Sequence, residues 1–230
     1  MLAPTAIAGA VFSRSARPVQ GLGWTFVEDG IGGRMNASSI PTPAQALPML
    51  DGERLRLRTF RDGDSAALYR IYSDPVVMRY WSYPAWIEHA QADAYLARVR
   101  DAVVSEGVLA WAIASRDDDM LIGTMTVLHI DSANARAEIG YALASAHWGR
   151  GYAQEALRLA LAFAFDALQL RRIEADVDPL NQASCRLLER IGFVREGVLR
   201  ERWLVAGELQ DSAIYGLLRG ELGLLRGELK

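Results

Sequence analysis

The stretch SAHWGRGYAQEALRLALAFAF, residues 145–165, decides the fold, because it joins a glycine turn directly to an apolar helix. Gly149 and Gly151 flank Arg150, and the apolar side chains that follow recur at helical spacing. The first-turn amides of a helix and the positive end of its dipole attract anions, and glycines let a ligand approach closely. The stretch therefore predicts a turn that holds a phosphate or pyrophosphate, with a purely structural turn as the alternative.

Two familiar nucleotide sites can be compared with this turn. A P-loop needs Gly-Lys-Ser/Thr at the helix start, whereas this sequence has Gly151-Tyr152-Ala153. A dinucleotide fingerprint needs a third glycine, and Gln154 occupies that position, although Asp176 or Asp178 imitates its distal acid. The strands upstream also read as hairpins, so a nicotinamide-dependent enzyme is kept only as a lesser alternative.

The composition indicates a globular protein, since 51% of the 230 residues are apolar and 23% are charged. A net charge of -3 argues against nucleic acid as the main partner. The one cysteine, Cys185, allows no internal disulfide and is compatible with a cytoplasmic location. His89, His129 and His147 lack metal-ligand spacing, so we expect no metal. No apolar run approaches the roughly 20 residues of a membrane helix, so we expect no membrane contact.

Three parts follow one another along the chain. Residues 1–50 are rich in Gly, Ala, Ser and Pro, and we interpret them as a flexible leader. Residues 51–218 carry the regular patterns of one domain. Residues 219–230 form a C-terminal extension that ends a perfect duplication, GLLRGEL at 216–222 and 223–229. Two copies are too few for a solenoid, so the second copy is interpreted as dispensable, with an interaction helix as the alternative.

Periodicity predicts an α+β fold. RLRLRTFR alternates as a strand, and two helices follow, the first capped by Asp62 or Asp64 and ended by Asp74-Pro75. VLAWAIAS, MLIGTMTVLHID and ARAEIGYALA read as strands, the first two joined by an acidic turn. The helix that follows the glycine turn comes next. After it the sequence predicts the strand RRIEADVD, a short helix between Asn181 and Gly192, and two final strands. Hairpins with one strand–helix–strand crossover make an α+β domain.

AEIGYALASAHWGRGYAQEAL, followed by DPLNQASCRLLERIGFVREGVLRE, resembles the GNAT superfamily of N-acetyltransferases over roughly residues 50–218. The sequence is most similar to the branch that contains the ribosomal-protein N-terminal alanine and serine acetyltransferases. The resemblance implies a mixed, mostly antiparallel sheet, splayed at a central parallel strand pair and flanked by helices. It also implies that acetyl-CoA is the co-substrate. Its pyrophosphate would lie on a loop made of Trp148, Gly149, Arg150, Gly151, Tyr152 and Ala153.

The resemblance also implies roles for residues around the splayed strands. Amides of Ile139, Gly140 and Tyr141 would polarise the thioester carbonyl, and Asn181, also a plausible helix cap, would bind the pantetheine arm. Glu138 would act as the base through a water, with a salt-bridged strand glutamate as the alternative. Ser184 would protonate the thiolate, with a packing role as the alternative. Tyr80, Trp81 and Trp86 would line the acceptor groove, with core packing as the alternative.

The free energy needed to deprotonate an amine indicates only in part which amine accepts the acetyl group. Neutralising a lysine with a pKa of about 10.4 at pH 7 costs about 4–5 kcal/mol, whereas an α-amine near 7.8 costs about 1 kcal/mol. One carboxylate base therefore favours a protein N-terminal α-amine, and small-molecule amines stay open. The other function considered is a non-catalytic acyl-CoA-binding module with the same fold. A homodimer is also left open.

Overall fold

The computed structural model describes residues 47–105 and 108–226 of the chain. Among these residues no helix combines the length and the apolar character that crossing a bilayer requires. They form one mixed sheet with helices against both of its faces.

The sheet has eight strands in the described residues, in the order β1-β2-β3-β4-β5-β6-β8-β7. Every neighbouring pair is antiparallel except β5 and β6, which are parallel. This confirms the predicted α+β fold, with its mostly antiparallel sheet. The strands are β1 Leu50–Asp51, β2 Leu55–Arg58, β3 Leu109–Ser115, β4 Leu121–Asp131, β5 Arg136–Leu143, β6 Arg172–Val177, β7 Val194–Val205 and β8 Glu208–Leu218.

The helices lie where the apolar periodicity predicts the longer ones. Short 3-10 turns at Asp62–Asp64 and Ser145–His147 precede α1 and α4. The helices are α1 Ser65–Tyr72, α2 Pro75–Met78, α3 Ala90–Ser105, α4 Tyr152–Asp166, α5 Gln182–Ile191 and α6 Arg219–Arg226.

Two apolar cores hold these layers together. The larger packs α4 and α5 against one sheet face, with Trp111, Phe165 and Tyr215 buried in it. The smaller packs α1 and α3 against the other face around Tyr72 and Tyr95. Its sheet residues come from β3, β4 and the end of β5, namely Ala110, Ala112, Leu121 and Ala142. On that face the helices therefore cover one half of the sheet.

The parallel pair is short, and its length positions the site. β5 and β6 pair only at Arg136–Arg172, Ala137–Ile173 and Glu138–Glu174. Beyond Glu138, β5 continues to pair with β4, whereas β6 pairs with β8 as far as Val177. The two strands therefore separate after three residues and leave a gap, which is the predicted splay.

Three local details differ from the sequence prediction. Asp64 occupies the N-cap position of α1 but makes no capping bond, because its carboxylate binds Arg58. Asp74 ends α1 as predicted but also begins α2, where its carboxylate accepts a hydrogen bond from the Val76 amide. Leu47 is buried, and the Pro48 carbonyl accepts from the Trp111 indole, so residues 47–50 of the predicted leader belong to the folded part.

Residues 1–46, and with them most of the predicted leader, lie outside the described residues. The predicted C-terminal extension begins as α6, whose Glu221 accepts a hydrogen bond from the Leu218 amide. The domain limits 51–218 therefore stay a proposal, and described residues at both ends, 47–50 and 219–226, lie outside them.

Candidate active site

A cleft opens where β5 and β6 separate. Its walls come from the segment before α3, from the ends of β4, β5 and β6, from α5 and from the β7–β8 hairpin. Of the residues predicted for the site, it brings together Tyr80, Trp81, Glu138, Ile139, Gly140, Tyr141, Asn181 and Ser184.

Glu138 lies on the cleft wall and is paired with His129. Nδ1 of His129 is 3.1 Å from Oε1 of Glu138, and the two side chains are 40% and 27% exposed. The hydrogen bond to Glu138 and the charge of that carboxylate raise the pKa of His129, against the opposing effects of burial and of Arg136. Glu138 is therefore a partly buried carboxylate with a titratable partner.

His129 is a site residue that the sequence prediction missed. It follows Leu128, which pairs with Glu138, and it lies in a bulge of the β4–β5 ladder with a φ of 50°. The strand alternation in LHID does not place an extra residue in a bulge. The turn at residues 132–135 is the one usable signal. Counting strand partners outward from that turn would have placed His129 near Glu138.

Ser184 and Tyr141 join α5 to β5 across the cleft. Their hydroxyl oxygens are 2.6 Å apart. Burial, partly offset by the hydrogen bond with Ser184, raises the pKa of Tyr141 to about 12, so its hydroxyl stays protonated at neutral pH. Asn181 caps α5 as predicted, since its side-chain oxygen accepts from the Ser184 amide at 3.1 Å. The Tyr141 side chain is thus a second group that the prediction, which used only its amide, did not foresee.

The glycine turn begins α4 in the way an anion site requires. Gly149 and Gly151 have φ values of 72° and 81°, in the left-handed region that glycine tolerates. Gly151 is the N-cap of α4 and supplies no side-chain cap, so the first amides of the helix keep their donor capacity. A Cβ added at Gly149 would meet no atom within 4 Å, which indicates open space above the turn.

The turn is braced from two sides. The Trp148 indole donates to the Leu143 carbonyl at 2.7 Å, and so ties the turn to the end of β5. Arg54 donates to the Arg150 carbonyl at 2.7 Å and stacks over the Tyr152 ring. Glu155 in turn holds Arg54 with a 3.0 Å ion pair. Arg54 reaches the turn from just before β2, which no local sequence pattern indicates.

The predicted acceptor aromatics divide into two groups. Tyr80 and Trp81 line the cleft. Trp86 is buried and packs against Tyr72 and Tyr95 in the smaller core. The structure therefore does not bring Trp86 to the cleft, and core packing, the alternative reading of the aromatic run, describes this residue.

Acidic groups dominate the far wall of the cleft. Asp176 accepts hydrogen bonds from Ser212 and, at 3.0 Å, from Arg202. Asp178 and Asp211 line the same wall. In residues 47–105 and 108–226 no cluster of three or more His, Cys, Asp or Glu side chains is arranged to hold a metal ion.

The model of an acetyltransferase (GNAT) domain matches residues 54–194, well over half of the chain. The chain belongs to the GNAT family. The uncharacterized N-acetyltransferase p20 of Bacillus licheniformis is 36% identical over 169 residues, which is 74% of this chain and 95% of that protein. Spermidine N(1)-acetyltransferase of Vibrio cholerae is 26% identical and covers 69% of this chain and 89% of its own length.

Solved structures of GNAT proteins match as well. Mycobacterium smegmatis RimJ in complex with CoA-disulfide superposes with a TM-score of 0.69 and 27% identity, over 76% of this chain and 90% of that one. The predicted family, with ribosomal-protein acetyltransferase-like neighbours such as RimJ, is thereby confirmed, and so is the prediction of an acetyltransferase enzyme.

GNAT enzymes use acetyl-CoA, and the residues of this chain fit that group. The uncapped amides of α4 and the open space at Gly149 suit a pyrophosphate, and the gap after Glu138 suits an extended arm. The roles of the individual residues stay predictions.

Proposed function

We propose that this GNAT acetyltransferase moves the acetyl group of acetyl-CoA directly to a primary amine within a ternary complex. The observation that carries the proposal is the cleft after Glu138. There the unpaired edge of β5, a carboxylate and a hydroxyl pair line one cleft, whereas the residues of the glycine turn are not among its lining residues. Acyl transfer to an amine needs a proton acceptor, donors for the developing oxyanion and a proton for the leaving group.

Each requirement has a candidate in this chain. When bound, acetyl-CoA supplies an acetyl thioester that is activated toward amines. Glu138 accepts the proton of the acceptor amine, directly or through one water. Among Ile139, Gly140 and Tyr141, the amides that face the gap rather than β4 donate to the thioester oxygen. Ser184 holds a proton at Oγ for the departing sulfur, and the protonated Tyr141 hydroxyl, 2.6 Å away, replenishes it.

We infer that residues 148–153 hold the pyrophosphate and that Asn181 binds the pantetheine arm. The guanidinium groups of Arg54 and Arg150 add positive charge near the turn, although Glu155 partly offsets Arg54. Tyr80 and Trp81 line the approach to Glu138 and would contact the acceptor.

The proposed acceptor is a protein N-terminal α-amine, with a small-molecule amine as the second candidate. An α-amine loses its proton more easily than a lysine, which suits a single carboxylate base. Asp178 and Asp211 on the far wall favour an acceptor with positive charge near the reacting nitrogen, whereas the charge of Asp176 is offset by Arg202. Because the chain is similar to a spermidine acetyltransferase, spermidine is included among the acceptors tested below.

Cofactor binding is tested first by thermal unfolding with acetyl-CoA or NAD. At about 100 times Kd, a ligand that binds only the folded state adds about 2.7 kcal/mol, which corresponds to a melting-temperature rise of roughly 5–10 °C. We expect this rise with acetyl-CoA and none with NAD. A rise with NAD alone, or none with either, would contradict the acetyl-CoA site.

Turnover is tested by following thiol release from acetyl-CoA with three acceptors: a peptide with a free α-amine, the same peptide blocked at its N-terminus, and spermidine. Glu138→Gln is expected to lower kcat by about 10²–10⁴-fold with acetyl-CoA affinity unchanged. Glu174→Gln is the matched control, because Glu174 pairs with Glu138 across the strands but is held by Arg136 and Arg172. Equal rates in wild type and Glu138→Gln would refute the base assignment.

A further inference from the structure

His129 faces the same cleft as Glu138 and contacts its carboxylate. The 3.1 Å separation between Nδ1 and Oε1 is within hydrogen-bond distance. The contact depends on the bulge in β4, because the β4–β5 ladder is regular up to Leu128–Glu138 and resumes only at Asp131–Arg136. Bulges redirect side chains, and this one directs His129 toward the carboxylate.

We propose that His129 is a positioning residue for acetyl transfer, which orients Glu138 and receives the proton that Glu138 takes from the acceptor amine. This inference rests on the function proposed above. It adds a residue that neither the sequence motifs nor the family resemblance singles out.

One proton moves along this route, and no atom is oxidised or reduced. It leaves the acceptor nitrogen for an oxygen of Glu138 as the amine attacks. It then passes from that carboxyl group to the unprotonated Nδ1 of His129. The imidazolium then releases one proton to water. Exchange of the ring protons with water returns the neutral tautomer that carries its proton on Nε2, so Nδ1 is again free to accept a proton and Glu138 is ionised for the next cycle.

Such a pair is a better proton acceptor than a carboxylate alone. An isolated glutamate titrates near 4.3 and an isolated imidazole near 6.5, whereas amines lie between about 7.8 and 10.4. Proton transfer is most efficient when the acceptor and the operating pH are close. Because Glu138 raises the pKa of His129, the pair accepts a proton nearer to the acceptor's own range than a carboxylate does.

The other charges around the pair come from every neighbouring strand. Arg136 on β5 lowers the pKa of His129, but it is also engaged by Asp131 at 3.4 Å and by Glu174 at 3.2 Å. Asp176 on β6 is engaged by Arg202 and Ser212. Within the part of the chain that the structure describes, the remaining titratable groups that face the cleft are Tyr80, Tyr141, Asp178 and Asp211.

A second histidine–carboxylate pair provides an internal control. Nδ1 of His89 lies 3.8 Å from Asp93 at the start of α3, and both side chains are largely exposed. Neither residue lines the cleft. The same substitution at His89 therefore removes a similar exposed pair without touching Glu138.

The test compares His129→Asn with His89→Asn. Asparagine tolerates the positive φ of His129 and keeps a hydrogen-bond donor, but it does not titrate. We would measure kcat against pH with saturating acetyl-CoA and a peptide bearing a free α-amine. We expect the wild-type rate to fall as the pH drops below the pKa of His129, which Glu138 raises above the ordinary value of 6.5. In His129→Asn we expect at least a tenfold loss at pH 7 and an acid limb at lower pH, with His89→Asn like wild type.

The outcomes separate the two proposals. No amine-dependent turnover by wild type would refute the proposed function itself. A wild type that turns over, with an unmoved acid limb in His129→Asn, would overturn the inference on His129 alone, even if kcat falls. Should the asparagine variant not fold, His129→Gly, which also tolerates the positive φ, is read by the same criteria.

Discussion

Asp64, which is bound by arginine, and Glu138, which is bound by histidine, have very different surroundings. At the corner formed by β2 and the β3–β4 turn, Arg58 makes two bonds of 2.8 and 2.9 Å to Asp64, and the two side chains are only 5% and 7% exposed. Arg58 also bonds Asp119, to which Arg61 donates as well. At the cleft, His129 and Glu138 make one contact and remain open to water.

The difference teaches what each pair can do. Arg58 carries its charge at any physiological pH, and Asp64 raises its pKa further, so this pair has one protonation state. It fixes the 3-10 turn before α1 to the β3–β4 turn and changes nothing during a reaction. Glu138 raises the pKa of His129 above the ordinary imidazole value and the ring reaches solvent, so the cleft pair has two accessible protonation states. Burial thus separates a pair with one protonation state from a pair with two.

The largest expected effect comes from breaking the buried pair on one side. Arg58→Met leaves Asp64 buried without its cation, which costs about 3–5 kcal/mol of unfolding free energy. Urea unfolding measures this loss. Arg58→Met with Asp64→Leu should recover much of it, because no charge is then left unpaired. Asp51→Asn, which breaks the exposed Arg56–Asp51 pair, is the control and should cost less than about 1 kcal/mol.

The cleft pair should contribute much less to stability. Glu138→Gln and His129→Asn are each expected to change the unfolding free energy by less than about 1 kcal/mol, because both side chains remain partly solvated. The same urea titrations measure these changes, and activity is assayed in parallel. A loss as large as that in Arg58→Met would mean that the two pairs do not differ as described.

The smallest expected effect is that the His129–Glu138 pair and Asp119 contribute to stability with opposite pH dependence. The raised pKa of His129 means that its pair stabilises the fold fully below about pH 6.5 and loses this effect as pH rises through the folded pKa. Burial would raise the pKa of Asp119, but Arg61 and Arg58 lower it. Its contribution is present above about pH 3.9 and is lost as pH falls through the folded pKa.

Melting temperatures of wild type, His129→Asn and Asp119→Asn between pH 3 and 9 test these signs. The gap between wild type and His129→Asn should close toward high pH. The gap between wild type and Asp119→Asn should close toward low pH. Two gaps that close in the same direction would contradict the assignment of opposite signs.

The sequence predicts the long helices and strands of this fold well, because apolar residues recur in each of them at helical or strand spacing. The apolar spacing in α4 and the Asn181 and Gly192 caps of α5 are local signals, and the structure has both helices there. The splay at β5–β6 and the grouping of Glu138 with Ser184 came from the family resemblance rather than from periodicity.

The site is less predictable wherever it depends on contacts between distant segments. His129 reaches Glu138 through a bulge, and Arg54 reaches the glycine turn from nearly a hundred residues away. Neither contact follows from spacing along the chain. Trp81 and Trp86 belong to one aromatic run and both pack against Tyr72 of the smaller core, but only Trp81 also lines the cleft, which the run itself does not indicate.

The three-residue pairing of β5 with β6 has a mechanical consequence. The sheet has two halves, β1–β5 and β6–β8. They are joined by those residue pairs, by the Arg136–Glu174 ion pair, and by hydrogen bonds that Arg171 donates to the carbonyls of Asn134 and Ala135. Beyond this seam, the Tyr141–Ser184 hydrogen bond ties β5 to α5. A force that separates β4 from β8 acts equally on the β4–β5, β5–β6 and β6–β8 ladders, and β5–β6 has the fewest residue pairs of the three. We therefore expect the cleft to widen first by yielding of this short seam.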